Sequence, residues 1–301
     1  MKRNEKVSVV IPSYNHEPYV LKAIESVLRQ EWPQIDLIVI DDGSTDASPQ
    51  ILSDFHKNSG DFRLLLNSNK GLIKTLNEGL SLADGEFFCL LASDDYLLPG
   101  SLSSRASYLS ENPGYVAVFG EAQVTCDNVI TNQRLMSKEK RRLFELADPI
   151  PEFIRGVHLP IHTLMARTAA LRKIGGFDER YKNCEDLDPP LLLYLTGPVQ
   201  FIDIPVYSYR EHLTNISRVN PNIARADKVL MYRKLLYEIE KLAPYRKNIQ
   251  YQLRRQYLLL GRYLSKSGAP SSRDKEIFEG AWEYSWQDIR LLWHLIRSRL
   301  N

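Results

Sequence analysis

The 301-residue sequence has only three cysteines, Cys89, Cys126 and Cys184. The number is odd and no pair has CxxC spacing, so neither a disulfide framework nor a zinc site is indicated. Buried thiols in a reducing compartment are the expected reading. Long apolar runs are missing too. None approaches the about 18 residues of a membrane-spanning helix, and the stretch from Val7 to Ile11 is too short for the core of a signal peptide. A cytoplasmic setting is therefore expected. No GxGxxG follows the first strand-like run, which removes the dinucleotide fingerprint, and no GxxxxGK followed by Ser or Thr removes the P-loop.

Net charge is also nearly absent, at +2 from 39 basic and 37 acidic side chains. That balance conceals an asymmetry. Residues 1–215 hold 22 basic and 29 acidic groups, net −7, whereas residues 216–301 hold 17 and 8, net +9. A hydrophobic content of 44% against 25% charged residues is that of a globular protein with a sizeable core. No nucleic-acid-binding motif occurs, and the front of the chain is acidic, so a nucleic-acid partner is not expected.

The front of the chain alternates strand and helix signals. Val7-Ser-Val-Val-Ile11, Leu37-Ile-Val-Ile40, Phe62–Leu66, Phe87–Leu91 and Tyr115–Phe119 read as strands. Helical spacing of apolar residues separates them: Val20, Leu21, Ile24, Val27 and Leu28, then a short helix around Ile51–His56, then Leu72, Leu76, Leu80 and Ala83. Pro99 to Ser110 reads as a fourth helix. Such alternation predicts an α/β fold with a mostly parallel sheet flanked by helices. Ligands of such sheets bind beyond the carboxyl ends of the strands. Three strand ends carry polar clusters there: Pro12-Ser-Tyr-Asn15, Asp41-Asp42 and Asp94-Asp95. The segment Gly120 to Ile154 is irregular, and its charge run Lys138-Glu-Lys-Arg-Arg142 reads as a solvated face or loop. From about Asn222 the chain reads as helical, with a Gly268-Ala-Pro-Ser-Ser272 linker and a basic amphipathic stretch from Ile289 to Leu300.

Read together, the motifs resemble a known family. They are Val7-Ser-Val-Val-Ile-Pro-Ser-Tyr-Asn15, Ile24-Glu-Ser-Val-Leu-Arg-Gln30, Val39-Ile-Asp-Asp-Gly-Ser-Thr-Asp46, Asn69-Lys-Gly71, Asn77-Glu-Gly79, Ala83-Asp-Gly-Glu86, Ala92-Ser-Asp-Asp95, Gly175-Gly-Phe-Asp178, Glu185-Asp186, and Tyr209-Arg-Glu-His212 with Asn215-Ile-Ser217. In this order they resemble the inverting GT-A glycosyltransferases of family 2, over roughly residues 5–217. The resemblance implies a GT-A catalytic domain over 1–217, with a donor-binding half to about 120 and an acceptor half beyond it. A helical extension over 218–301 lies outside it.

The resemblance also implies roles. Asp94 and Asp95 would grip the diphosphate of a nucleotide-sugar through Mn2+ or Mg2+, one of them near the ribose; the pair leaves open which touches the metal. Two adjacent carboxylates repel unless a cation lies close, which suits a hard divalent ion that fills its shell with phosphate and water. Asp42 would accept from the base, commonly uracil, with Tyr14 stacked on it and Pro12 giving a backbone contact. Lys70 would offset diphosphate charge. Asp186 would be the general base that deprotonates the acceptor hydroxyl, with Glu185 tuning it. His212 would ligate the metal or contact phosphate, with Arg210 and Ser217 near; His162 would line the acceptor side. Ala92, Leu76 and Leu192 depart from the acidic residue and two arginines common in relatives, and Pro190 stands where they usually place an aromatic.

The implied activity is transfer of a hexosyl or N-acetylhexosaminyl group from a UDP-sugar to a glycan or lipid-linked glycan in bacterial surface-polysaccharide assembly. A QxxRW motif and membrane spans, which mark processive synthases, are missing, so few sugars are expected per encounter. The basic tail suits peripheral membrane contact or dimerisation. Two other readings stand beside this one. A nucleotidyltransferase would need a Gly-rich basic loop after the first strand, and Pro12-Ser-Tyr-Asn15 is not one. A catalytically silent nucleotide-binding relative would not need Asp42, Asp94, Asp95 and Asp186 together.

Overall fold

The computed structural model describes residues 5–126, 129–182, 184–212, 215, 224–266 and 272–280. It divides into two compact units, one of Met1–Pro149 with Val157–His212, the other of Ile150–Gly156 with Leu213–Asn301.

The first unit is built on one nine-stranded sheet. In chain order its elements are β1 (Val7–Ser13), α1 (Val20–Leu28), β2 (Ile35–Asp41), α2 (Ser48–Ser59), β3 (Arg63–Leu66), α3 (Leu72–Leu82), β4 (Phe87–Leu90), β5 (Tyr96–Leu97), α4 (Ser101–Glu111), β6 (Ala117–Cys126), β7 (Val129–Arg134) and α5 (Lys138–Arg142). After α6 (Ile150–Arg155), which belongs to the second unit, come a 3-10 turn at Ile161–Thr163, β8 (Leu164–Arg167), α7 (Thr168–Lys173), α8 (Pro189–Tyr194) and β9 (Val199–Glu211). The strand order is β3-β2-β1-β4-β8-β6-β9-β5, with β7 beside β6. Strands β1 to β4 pair in parallel, and β8 is antiparallel to both of its neighbours.

The strands predicted as continuous apolar runs are buried on both faces. Val7, Val9, Val10, Ile11, Ile38, Val39 and Ile40 have no exposed surface. Helix α1 begins and ends with its predicted apolar stripe, and Val20, Ala23, Ile24 and Val27 pack into the same core. Two of the sequence motifs prove to be partners: Asn77 Nδ2 donates to Phe177 O (2.8 Å), and Phe177 N–H returns a bond to Asn77 Oδ1 (3.0 Å). Asn77-Glu-Gly79 therefore clamps the chain that leads to Glu185. At Gly79 any side chain would strike Val10, because α3 lies directly on β1 there.

The structure corrects the irregular reading of Gly120 to Ile154. Strand β6 runs on to Cys126 and pairs with β7 as a hairpin. The charge run forms α5, whose Lys138, Glu139 and Arg142 are exposed as expected, while Arg141 turns inward. Glu121 is fully buried and accepts from Arg141, from Ala122 N–H and from Met136 N–H, and Arg141 also reaches Asp203.

The second unit is helical: α6, α9 (Ala224–Tyr237), a 3-10 segment Glu240–Tyr245, α10 (Arg246–Lys266) and α11 (Ser272–Glu279). Its core holds Val229, Tyr232, Leu235, Leu253, Tyr257, Leu260 and Phe278. Tyr232 donates to Ile154 O (2.7 Å), and buried Asp227 pairs with Arg273. The predicted linker lies outside the described residues except for Ser272, which starts α11, and the basic stretch Ile289 to Leu300 and Ser217 lie outside them altogether. No described helix is long and apolar enough to cross a membrane.

Candidate active site

Parallel pairing sets Ser13 level with Asp41, and β4 beside β1. The three polar strand ends therefore share one edge of the sheet. At the end of β2, Asp41 folds back to cap its own turn, accepting from Ser44 N–H (2.9 Å) and Ser44 Oγ–H (2.6 Å). Asp42, 4% exposed, reaches across to the loop after β3 and accepts from the N–H groups of Lys70 (2.9 Å) and Gly71 (2.8 Å). Gly43 makes this approach possible: its φ is +73°, and a Cβ there would lie 2.5 Å from Asn69 N. Tyr14, 45% exposed, stands beside this turn, and Pro12 lies opposite Ile40. Lys70 serves the site through its backbone, because its ammonium pairs with Glu78 on α3. The position of Leu76 is fully buried, so no phosphate contact arises there.

The end of β4 presents the acidic pair, and the two members have different tasks. Asp95 is 2% exposed. Its Oδ1 accepts from Arg210 N–H (2.6 Å) and its Oδ2 from Tyr207 O–H (2.6 Å), both on β9. Burial and the adjacent charge of Asp94 hold its carboxyl well above the usual range, against those two hydrogen bonds. Asp94 faces outward to two imidazoles. His212 Nε2 lies 3.1 Å from Asp94 Oδ2, and His16 Nε2 lies 3.7 Å from the same oxygen. Tyr19 stacks on His212 at 4.8 Å between ring centroids, and the Arg210 guanidinium sits 5.0 Å over the Tyr19 ring. Arg210 Nε also donates to Asp94 O (2.8 Å), which ties β9 to the acidic turn.

The second carboxylate pair lies on the loop before α8. Asp188 is the N-cap residue of α8, and prolines fill its first turn, as the sequence predicts; its carboxylate, however, accepts from Tyr181 O–H (3.0 Å). Burial, and then the charge of Asp186, push the Glu185 carboxyl up to about 8. His162 Nε2 lies 3.8 Å from Glu185 Oε1, and burial pushes His162 down to about 4. At neutral pH this contact therefore joins a protonated acid to a neutral ring. His162 also feels the charge of Asp94 and packs edge-on against Tyr207 at 5.5 Å. It thus lies between the acidic pair on β4 and the pair before α8. Its segment is held by Arg105, which is fully buried and donates to the carbonyls of Thr163 (3.1 Å) and Leu164 (3.0 Å). Burial lowers the Lys140 ammonium, while the charges of Asp186 and Glu121 hold it up, so α5 delivers a cation to the field of Asp186.

The donor set around Asp94 fits a divalent ion that arrives with its phosphate. One carboxylate oxygen and one imidazole nitrogen converge, and among the described residues no group of three His, Cys, Asp or Glu side chains is arranged to hold an ion alone. An ion with two protein ligands completes its shell from phosphate and water, and an imidazole in the set suits Mn2+ better than Mg2+.

Sequence reasoning missed His16, Tyr19, Tyr207 and Lys140. The signal for His16 was its place directly after Asn15 in the β1 motif. Tyr207 had no local signal, since only the β5–β9 pairing brings it to Asp95.

Comparison with known proteins identifies the family and the fold. The model of a family described as Glycosyl transferase family 2 matches residues 8–175, more than half of the chain. The chain is 35% identical over 121 residues to a GalNAc(5)-diNAcBac-PP-undecaprenol beta-1,3-glucosyltransferase of Campylobacter jejuni, a match that covers 40% of this chain and 38% of that protein. In fold it is similar to S. aureus TarS 1-349 in complex with UDP-GlcNAc, with TM-score 0.61 and 22% identity over 96% of this chain and 78% of that one. It is also similar to the mannosyltransferase PcManGT from Pyrobaculum calidifontis in complex with GDP-Man and Mn2+, with TM-score 0.59 and 16% identity over 98% and 84%. The expected α/β GT-A architecture is thus the observed one.

Proposed function

The chain belongs to glycosyl transferase family 2, and from that premise we propose that this glycosyltransferase is a metal-dependent, inverting enzyme that moves a sugar from a UDP-sugar to an acceptor hydroxyl. The observation that carries the proposal is the position of His162, which joins the acidic turn at Asp94 to the pair Glu185 and Asp186 in one site. A donor held at one end and a base at the other is what single displacement needs.

In this reading Tyr14 and Pro12 hold the base against the β1 edge. Asp42 accepts from its ring N–H while keeping the Lys70–Gly71 loop in place. Asp94 and His212 would hold Mn2+ or Mg2+, which neutralises charge on the departing diphosphate when bound. Asp95 is assigned instead to fastening the acidic turn to β9, through Tyr207 O–H and Arg210 N–H. Asp186 takes the proton of the acceptor hydroxyl. The acceptor oxygen bonds to the anomeric carbon from the face opposite the diphosphate. The bond to the diphosphate breaks, nucleoside diphosphate leaves, and configuration inverts. Protonated Glu185 leaves Asp186 as the basic member of the pair, and Lys140 stabilises its charge.

The catalytic machinery is assigned to the first unit. The basic residues 216–301 are assigned to location or partners, at an anionic membrane surface or a dimer face. The similarity to the GalNAc(5)-diNAcBac-PP-undecaprenol beta-1,3-glucosyltransferase of Campylobacter jejuni supports a lipid-linked or growing glycan as acceptor here. The TarS complex supports a UDP-sugar donor, and the PcManGT complex supports Mn2+. Calorimetric titration of UDP and GDP with Mn2+ tests the donor assignment. Tighter binding of UDP is expected, and tighter binding of GDP would overturn the base assignment at Asp42.

A further inference from the structure

His16 has no role in the mechanism above, yet its ring is placed with more care than packing requires. Its backbone is fixed on both sides. Asn15 before it adopts a left-handed φ of 55°, which asparagine tolerates better than most residues. Asn15 Oδ1 accepts from Thr45 N–H (2.8 Å), and Asn15 N–H donates to Ser44 Oγ (2.8 Å). His16 O then accepts from the N–H groups of Tyr19 (2.9 Å) and Val20 (3.0 Å), the first turn of α1. The ring therefore leaves a loop locked to the β2 turn and crosses to the end of β4. Nδ1 lies 2.7 Å from Ser93 Oγ, and Ser93 is 1% exposed. The other nitrogen, Nε2, has Asp94 Oδ2 at 3.7 Å, beyond hydrogen-bond range. Among the described residues it makes no hydrogen bond. The His16 side chain is 28% exposed, so a ligand can reach that edge. The ring of His212 stands 6.3 Å away at 83° and faces the same carboxylate oxygen.

Resting on the donor site proposed above, we propose that His16 is a diphosphate-binding residue: Ser93 O–H donates to Nδ1, which leaves the proton on Nε2, and Nε2–H donates to a phosphate oxygen of the nucleoside diphosphate. A neutral ring suits this task, since it adds a directed donor beside Asp94 without crowding a second cation against the metal. A hydrogen bond to a charged group is among the stronger ones, and its loss weakens binding about tenfold or more.

The test is calorimetric titration of the full-length protein with UDP and with uridine, each with Mn2+, for the wild type, His16→Phe, His16→Gln and Ser93→Ala. The expected result is a loss of about tenfold or more in UDP affinity for His16→Phe, with uridine affinity unchanged. His16→Gln, which keeps a donor, recovers most of the loss, and Ser93→Ala shows a smaller one. Equal UDP affinity in wild type and His16→Phe overturns the assignment, and so does an equal loss for UDP and uridine, which marks a structural role. If His16→Phe fails to fold, Ser93→Ala decides: UDP-specific weakening supports the assignment and unchanged UDP affinity overturns it. A wild type that binds no UDP overturns the donor site itself, and this assignment with it.

Discussion

Tyr207 donates its phenolic hydrogen to Asp95 Oδ2 across 2.6 Å, and the next-but-two residue on the same strand, Arg210, closes the other oxygen through its N–H. Adjacent acids in one motif are thereby divided. Asp95 fastens the β4 turn to β9, and Asp94 is left to meet a ligand. The division predicts different losses. Asp95→Asn turns an amide donor toward a donor and leaves a buried group unpaired, so it should cost about 1–3 kcal/mol of stability. Asp94→Asn should leave Tm nearly unchanged and remove Mn2+-dependent UDP binding. Thermal melts and UDP titrations of the two variants check this.

Glu185 predicts a pH-dependent stability. Its folded pKa of about 8 lies above the ordinary 4.5. The unfolded chain releases this proton as pH rises through 4.5, whereas the folded state keeps it until about 8. Stability from this group is therefore full below 4.5 and declines as pH rises toward 8. Glu185→Gln should match the wild type near pH 4 and exceed it above pH 8, by an amount on the order of 5 kcal/mol at most. Melts of both proteins across that range give the comparison.

Much of the donor side was legible in the sequence because it is local. Apolar strands end in polar clusters, and parallel pairing brings those ends together without further information. Helix α1 and the Asp188 N-cap are local too. The rest depends on pairings far apart in the chain. Glu121 reads as an acidic residue in an irregular segment, and only the structure shows it buried and paired with Arg141. Asp94 and Asp95 are equivalent as letters, and Tyr207 distinguishes them from 112 residues away. Lys70 reads as a phosphate-facing cation, but Glu78, eight residues on in α3, takes the charge.

Arg141 and Glu121 offer a test of how α5 supports the site. Glu121 is fully buried, and Arg141 is its charged partner. Arg141→Met should leave a buried carboxylate uncompensated and cost about 3–5 kcal/mol. Arg141→Met with Glu121→Gln should recover part of that loss. Displacement of α5 also moves Lys140 away from Asp186, so transfer should fall in the single variant more than UDP binding does. Denaturant melts and steady-state kinetics of the pair measure both effects.

The proposed metal dependence rests on the Asp94–His212 pair. Chelation with EDTA should abolish transfer and leave the fold intact, since among the described residues no group of three His, Cys, Asp or Glu side chains holds an ion within the core. Mn2+ should restore more activity than Mg2+ at equal concentration, because an imidazole joins the ligand set. His212→Ala should erase that preference. Activity and circular dichroism recorded through the chelation and add-back series test each step.

Asp186 is the proposed base that deprotonates the acceptor. The most direct measurement compares wild type and Asp186→Asn with a panel of UDP-sugars, Mn2+ and a glycan acceptor, recording transfer and UDP binding together. Asp186→Asn is expected to bind UDP as the wild type does and to transfer sugar about 10²–10⁴-fold more slowly. Transfer at the wild-type rate in Asp186→Asn would contradict it.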